Sequence, residues 1–191
     1  MKPRKISKIS EVLKDPGTQV YAVAAGEKYL KSFSGLIEDL TKNQGRSGIV
    51  LSTFWSANAL SRRLSLSKLP KGSVKIIDTV SMTLGSTQIT KEDFTFLSTP
   101  VSLESVLVEI ERLINIPNND FSFFIVDSMT FLTKYYTGGE VAEFFRFILN
   151  RMLEEEIKVV IYDQTFDPGD PTSTQVSGMM DHLVTLGSGG G

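Results

Sequence analysis

The chain has 191 residues, 41% hydrophobic and 22% charged, with a net charge of −2 and a pI near 5.5; this suits one soluble domain and gives no field that favours phosphate backbones. It has no cysteine and a single histidine, His182, which excludes disulfides, thiolate catalysis, Cys-ligated zinc and multi-His metal sites and argues against a Ser-His-Asp triad. No stretch approaches about 18 uninterrupted apolar residues, and the basic start MKPRKISKIS lacks the apolar core of a secretory signal, so the expected setting is intracellular, in the cytoplasm.

In chain order, strand-like and helix-like segments alternate. Gln19–Ala24 (QVYAVA) is an apolar, β-rich run. Glu27–Asn43 follows, with Leu30, Phe33, Leu36, Ile37 and Leu40 at helical spacing. Asn43–Gly48 reads as a turn and Ile49–Ser52 as a second short strand. Ala57–Leu66 is a predicted helix, broken by Pro70-Lys71-Gly72, and Val74–Asp78 is a third strand that ends in an acid. Residues 79–100 are irregular and rich in Ser and Thr, with one short apolar run at Phe94–Leu97.

Ser102 is the expected N-cap of a helix over Leu103–Ile116, because a Ser hydroxyl accepts from an orphan amide of the first turn. Residues 121–128 read FSFFIVDS, five apolar residues in the six positions before Asp127. An apolar run of this kind suits a strand buried on both faces of a parallel sheet. Gly138-Gly139 opens an amphipathic helix over Glu140–Glu155, with Val141, Phe144, Phe145, Ile148, Leu149 and Met152 on one face. Ile157–Tyr162 is a strand, Asp167–Ser177 a Pro/Gly/Asp/Thr-rich loop, and His182–Leu186 the final strand. The GSGGG end reads as a flexible tail, so the expected division is one domain over 1–187 and a tail at 188–191.

This alternation predicts an α/β fold with a mostly parallel sheet and helices on both faces. Ligands of such sheets bind beyond the carboxyl ends of the strands. That edge presents Ala24–Lys31, Ser52–Ser56, Asp78, Asp127-Ser128 and Asp163-Gln164.

The order of segments resembles the KaiC-like branch of the RecA superfamily. The resemblance rests on FFIVDSMTFLTKYY as a Walker B region, on the helix EVAEFFRFILNRMLEE, on the strand IKVVIY and on the closing MMDHLVTL. It spans roughly residues 18–187 and implies a RecA-like sheet, an archaeal source and an ATP-binding ancestry. In a Walker B strand, an acid placed like Asp127 holds the magnesium of a bound nucleotide.

The rest of that machinery departs from the pattern. A P-loop reads G-x-x-x-x-G-K-[ST], its glycines letting amides approach the phosphates while Lys and Ser/Thr reach phosphate and Mg²⁺. Here the place reads Ala25-Gly26-Glu27-Lys28-Tyr29-Leu30-Lys31-Ser32. Lys31-Ser32 stand where the Lys-Ser pair belongs, but the two motif glycines are Ala25 and Leu30, and Glu27 adds a negative charge. The other reading of Lys28 and Lys31 is as solvated lysines of a surface helix.

The family's catalytic glutamate follows the second strand, where this chain reads Ser52-Thr53-Phe54-Trp55-Ser56 with no carboxylate. Loss of a general base removes about 10²–10⁴ in rate. Phe54 and Trp55 read either as a protein interface or as packed aromatics. Asp127 reads either as a magnesium ligand or as a structural acceptor at a strand end. Gln164, after the penultimate strand, lies near the place where the family senses nucleotide. Asp78 reads as a strand-end cap.

The expectation is therefore a catalytically inactive KaiC/RecA-like domain, acting as a signalling, regulatory or scaffolding module through protein partners. No cofactor is expected. The alternative is an atypical ATP-binding protein or weak ATPase that uses ATP and Mg²⁺ through Lys31, Ser32 and Asp127. Nucleic acid and membrane are not expected partners, and a monomer or homodimer is expected rather than a nucleotide-bridged ring.

Overall fold

The computed structural model describes residues 4–6, 8–81, 93–97, 102–118 and 120–186, with the side chains of 4–6 left aside. The expected tail at 188–191 and most of the irregular segment 79–100 lie outside the described residues. Among the described residues eight strands form one sheet: β1 (Arg4–Ile6), β2 (Gln19–Val23), β3 (Ser47–Ser52), β4 (Val74–Asp78), β5 (Phe94–Phe96), β6 (Phe121–Val126), β7 (Lys158–Asp163) and β8 (His182–Leu186). Their order across the sheet is β1-β8-β2-β7-β6-β3-β4-β5, and every pairing is parallel. The described residues hold five α-helices, α1 (Gly26–Glu38), α2 (Ala57–Arg63), α3 (Leu103–Ile114), α4 (Gly138–Glu154) and α5 (Pro171–Gly178).

The sheet is buried on both sides, which is why β2, β3, β6 and β7 read as continuous apolar runs rather than alternating ones. On one side Val20, Val50, Ile125 and Tyr162 meet Tyr29, Phe33 and Ile37 of α1 and Leu60 of α2. On the other side Tyr21, Leu51, Phe124 and Ile161 meet Ile110 of α3, Phe145 and Ile148 of α4 and Val176 of α5. Among the described residues no helix is long and apolar enough to cross a membrane.

The ends of the helices follow local chemistry. Ser102 caps α3 by accepting from the Ser105 amide at 3.1 Å, as expected. Thr137 and Glu140 form a reciprocal capping box at the start of α4.

Three expectations need correction. The predicted loop 167–177 contains α5: Asp170 accepts from the Thr172 and Ser173 amides, and Pro171 occupies the first helical position. Pro is favoured there because its missing N–H would be unpaired anyway. The helix predicted over 27–43 ends as an α-helix at Glu38 and finishes in a π-helical turn over Asp39–Asn43. β3 starts at Ser47, inside the predicted turn, because Gly48 lies flat against Phe123 of β6.

Candidate functional site

The carboxyl edge of the sheet carries three aspartates, Asp78, Asp127 and Asp163, all with 0% exposure. A buried carboxylate must be matched by donors or it destabilises the fold. Each of the three is matched, and each holds a different loop.

Asp127 follows β6 and faces the turn after β3. Its Oδ1 accepts from the Thr53 amide at 2.7 Å, the Thr53 hydroxyl at 2.8 Å and the Phe54 amide at 3.2 Å. Its Oδ2 accepts from the Ser52 hydroxyl at 2.8 Å and the Trp55 amide at 3.2 Å. The same two hydroxyls also reach carbonyl oxygens, Ser52 that of Trp55 and Thr53 that of Ser128. The carbonyl of Asp127 accepts from the Tyr29 hydroxyl of α1 at 2.6 Å. Burial holds the Asp127 carboxyl above the usual carboxylate range, opposed by this ring of donors.

Asp78, at the end of β4, accepts from the Ala57 amide at the start of α2 and from the Val80 and Ser81 amides. Asp163, at the end of β7, accepts from the Tyr21 hydroxyl at 2.6 Å, the Thr130 amide at 3.0 Å and the Ser128 hydroxyl at 3.2 Å. Burial raises the Asp163 carboxyl too. It also keeps the phenols of Tyr21, Tyr29 and Tyr162 protonated far above their ordinary range.

The segment that stands in place of a P-loop is helical. β2 ends at Val23 and α1 begins at Gly26, so only Ala24 and Ala25 connect them. Gly26 takes a φ of +57°, a conformation that glycine adopts without steric cost, and turns the chain directly into the helix. Seven of the eight positions from Ala25 to Ser32 thus lie within α1. Tyr29 is buried and stacks on Phe33, and Leu30 is half-buried against the core. Glu27 occupies the first turn, where a negative side chain suits the positive end of the helix dipole.

The sequence-predicted residues separate into those that meet and those that do not. Asp127, Phe54 and Trp55 are joined through the 52–55 turn. Ser32 sits one turn beyond Tyr29 and shares a 3.1 Å hydrogen bond with the Tyr162 hydroxyl. Lys31 is exposed on α1, and Gln164 is exposed after β7, each without a hydrogen bond or ion pair to the others. The residues present do not fit a magnesium triphosphate in this geometry. No open loop of amides precedes α1, both Asp127 oxygens already accept from the turn, and Ser32 is turned to Tyr162. Among the described residues no group of three His, Asp or Glu side chains is arranged to hold a metal ion.

Sequence reading missed the partners of Phe54 and Trp55. Trp55 and Phe54 meet edge to face at 4.5 Å between ring centres, Phe54 meets Phe131 at 5.8 Å, and Phe131 meets Tyr135 at 5.4 Å. The Arg63 guanidinium lies 3.9 Å over the Trp55 ring and Lys134 Nζ lies 5.1 Å over Phe131. Phe54, Trp55 and Phe131 are half-buried, and Tyr135 is 64% exposed. The signal was present in MTFLTKYY, which sets three aromatics, Phe131, Tyr135 and Tyr136, just past the strand that ends before Asp127.

No family model matches the sequence, and no curated protein matches it. In structure the chain is similar to a KaiC-like protein from the hyperthermophilic archaeon Pyrococcus horikoshii, with a TM-score of 0.61 and 13% identity over 96% of this chain and 80% of that one. The chain therefore shares the all-parallel α/β fold of that KaiC-like protein, in keeping with the resemblance of its segment order.

Proposed function

We propose that this chain is a catalytically inactive RecA-like domain that works as a signalling, regulatory or scaffolding module by binding other proteins. One observation carries the reading: the carboxylate standing where a magnesium ligand would be is wrapped by the Ser52–Trp55 turn, and that turn displays Phe54 and Trp55. Its lone pairs fix an aromatic surface loop in place. The short β2–α1 connection supports the same reading, since only Ala24 and Ala25 precede the helix and no glycine-rich loop of amides stands in front of it.

Calorimetric titration with Mg-ATP, paired with a phosphate-release assay, tests it. The expected result is no heat of binding at micromolar nucleotide and no turnover. A micromolar dissociation constant, or phosphate release that vanishes in Asp127→Ala while the variant stays folded, overturns it in favour of an atypical ATPase.

A further inference from the structure

From the same surface, and resting on the interaction reading above, we infer that the aromatic row Trp55–Phe54–Phe131–Tyr135, with Arg63 and Lys134, is a docking site for an acidic peptide segment that also carries apolar side chains. The row joins two loops that are far apart in sequence, the turn after β3 and the segment after β6. Both loops are pinned from below by buried carboxylates, Asp127 for the first and Asp163 for the second, through the Thr130 amide. The rings are thus pre-positioned, which reduces the ordering cost of binding.

The charge of the occupant follows from the two cations. Arg63 and Lys134 are exposed, each lies over a ring, and among the described residues neither pairs with a carboxylate. A guanidinium stacked on an indole keeps its N–H donors directed outward in the plane, the geometry that takes a carboxylate in a two-pronged bond. Tyr135, at the open end of the row, offers an uncovered ring for an apolar side chain. Single-stranded nucleic acid would also need cations and rings. However, the rings here contact one another largely edge to face, Arg63 covers a face of Trp55, and the chain as a whole is acidic at −2. Base stacking on free faces is poorly served by that arrangement.

Trp55 is the only tryptophan, so its emission reads the site directly. The probe is a short synthetic peptide rich in Asp and Glu and carrying Phe and Leu. It is titrated into the full chain and followed by Trp55 emission and, with a labelled copy of the peptide, by anisotropy. The expected result is saturable binding that weakens with added salt and drops at least about tenfold, which is about 1.4 kcal/mol, in the double variant Arg63→Glu, Lys134→Glu. Tyr135→Ser, a change at an exposed position, should weaken it as well, and circular dichroism confirms that the variants stay folded. No saturable anisotropy change, equal binding of a peptide with Lys in place of the acids, or a response to oligo-dT in preference to the acidic peptide overturns the assignment. Failure here leaves the Mg-ATP titration to decide the inactive-domain reading separately, and ATP turnover there would not remove a positive peptide result.

Discussion

Asp127→Ala removes the acceptor of three backbone amides, those of Thr53, Phe54 and Trp55, at a residue with 0% exposure. An unpaired buried donor costs about 1–3 kcal/mol, so the expected loss is about 3 kcal/mol, with part of the turn relaxing outward. Asp127→Asn keeps one oxygen acceptor and adds an N–H that can donate to the Ser52 hydroxyl, so about 1 kcal/mol is expected. Urea unfolding measures both, and equal losses would show that the carboxylate is not what holds the turn. The pH dependence has a definite sign. Burial raises the folded-state pKa of Asp127 and of Asp163, so the folded chain holds these protons more tightly than the unfolded chain. Stability is then lost as pH rises from the ordinary carboxylate range through the raised folded values. Glu109, held low by the hydrogen bond from Arg112, and Asp170, held low by that from Ser173, act oppositely and only below that range. Going from about pH 8 to about pH 5 should therefore raise the urea midpoint of the wild type, and raise it less in Asp127→Asn. An identical rise in both would assign the effect to groups other than Asp127.

The contact between β3 and β6 shows what a single glycine decides at the scale of an element. A Cβ at Gly48 would fall inside van der Waals distance of both the Phe123 ring and the Phe123 carbonyl oxygen, at the point where the β3–β6 register shifts. Backbone cannot move aside as a side-chain tip can. Gly48→Ala should therefore cost about 3 kcal/mol, the upper end for overpacking, read as a lower urea midpoint. A loss below about 1 kcal/mol would mean that the sheet yields there. This position also marks a limit of sequence reading. Gly45 and Gly48 together look like turn punctuation, yet only Gly45 has a positive φ, and Gly48 is a strand residue chosen for close approach. A like ambiguity hid α5, because the Pro, Gly and Asp before it signal a turn just as well as a helix start, and its apolar positions are few. By contrast, β6 and α4 were plain, since five apolar residues in six and a full amphipathic face admit few other structures. In the candidate site, the acids at the strand ends were legible as positions. Their partners were not, because Asp127 reaches back 72 to 75 residues and Asp163 reaches 142 to Tyr21.

Across the whole molecule, those long-range bonds turn the carboxyl edge of the sheet from an open cleft into a locked one. Six strands, β8, β2, β7, β6, β3 and β4, are each paired on both sides, and among the described residues β1 and β5 are three-residue edges with one partner each. In an ordinary α/β domain the loops beyond such strands exchange their amide hydrogens early, because they open without disturbing the core. Here the amides of Thr53, Phe54, Trp55, Val80 and Ser81 donate to carboxylates that are themselves buried under the loops, so the loops cannot open without exposing Asp127 or Asp78. Native-state hydrogen exchange should then show these five amides protected to within about tenfold of the strands they follow, and far above the exposed Gln164, Thr165 and Asp167. β1 and β5 should exchange earlier than the central strands, since among the described residues each is paired on one side only. Asp127→Asn should accelerate Thr53, Phe54 and Trp55 selectively and leave Val80 and Ser81 unchanged, because separate carboxylates hold the two loops. If the five amides exchange as fast as Gln164, Thr165 and Asp167 in the wild type, the edge is not locked and the docking row lacks the rigid base argued for it.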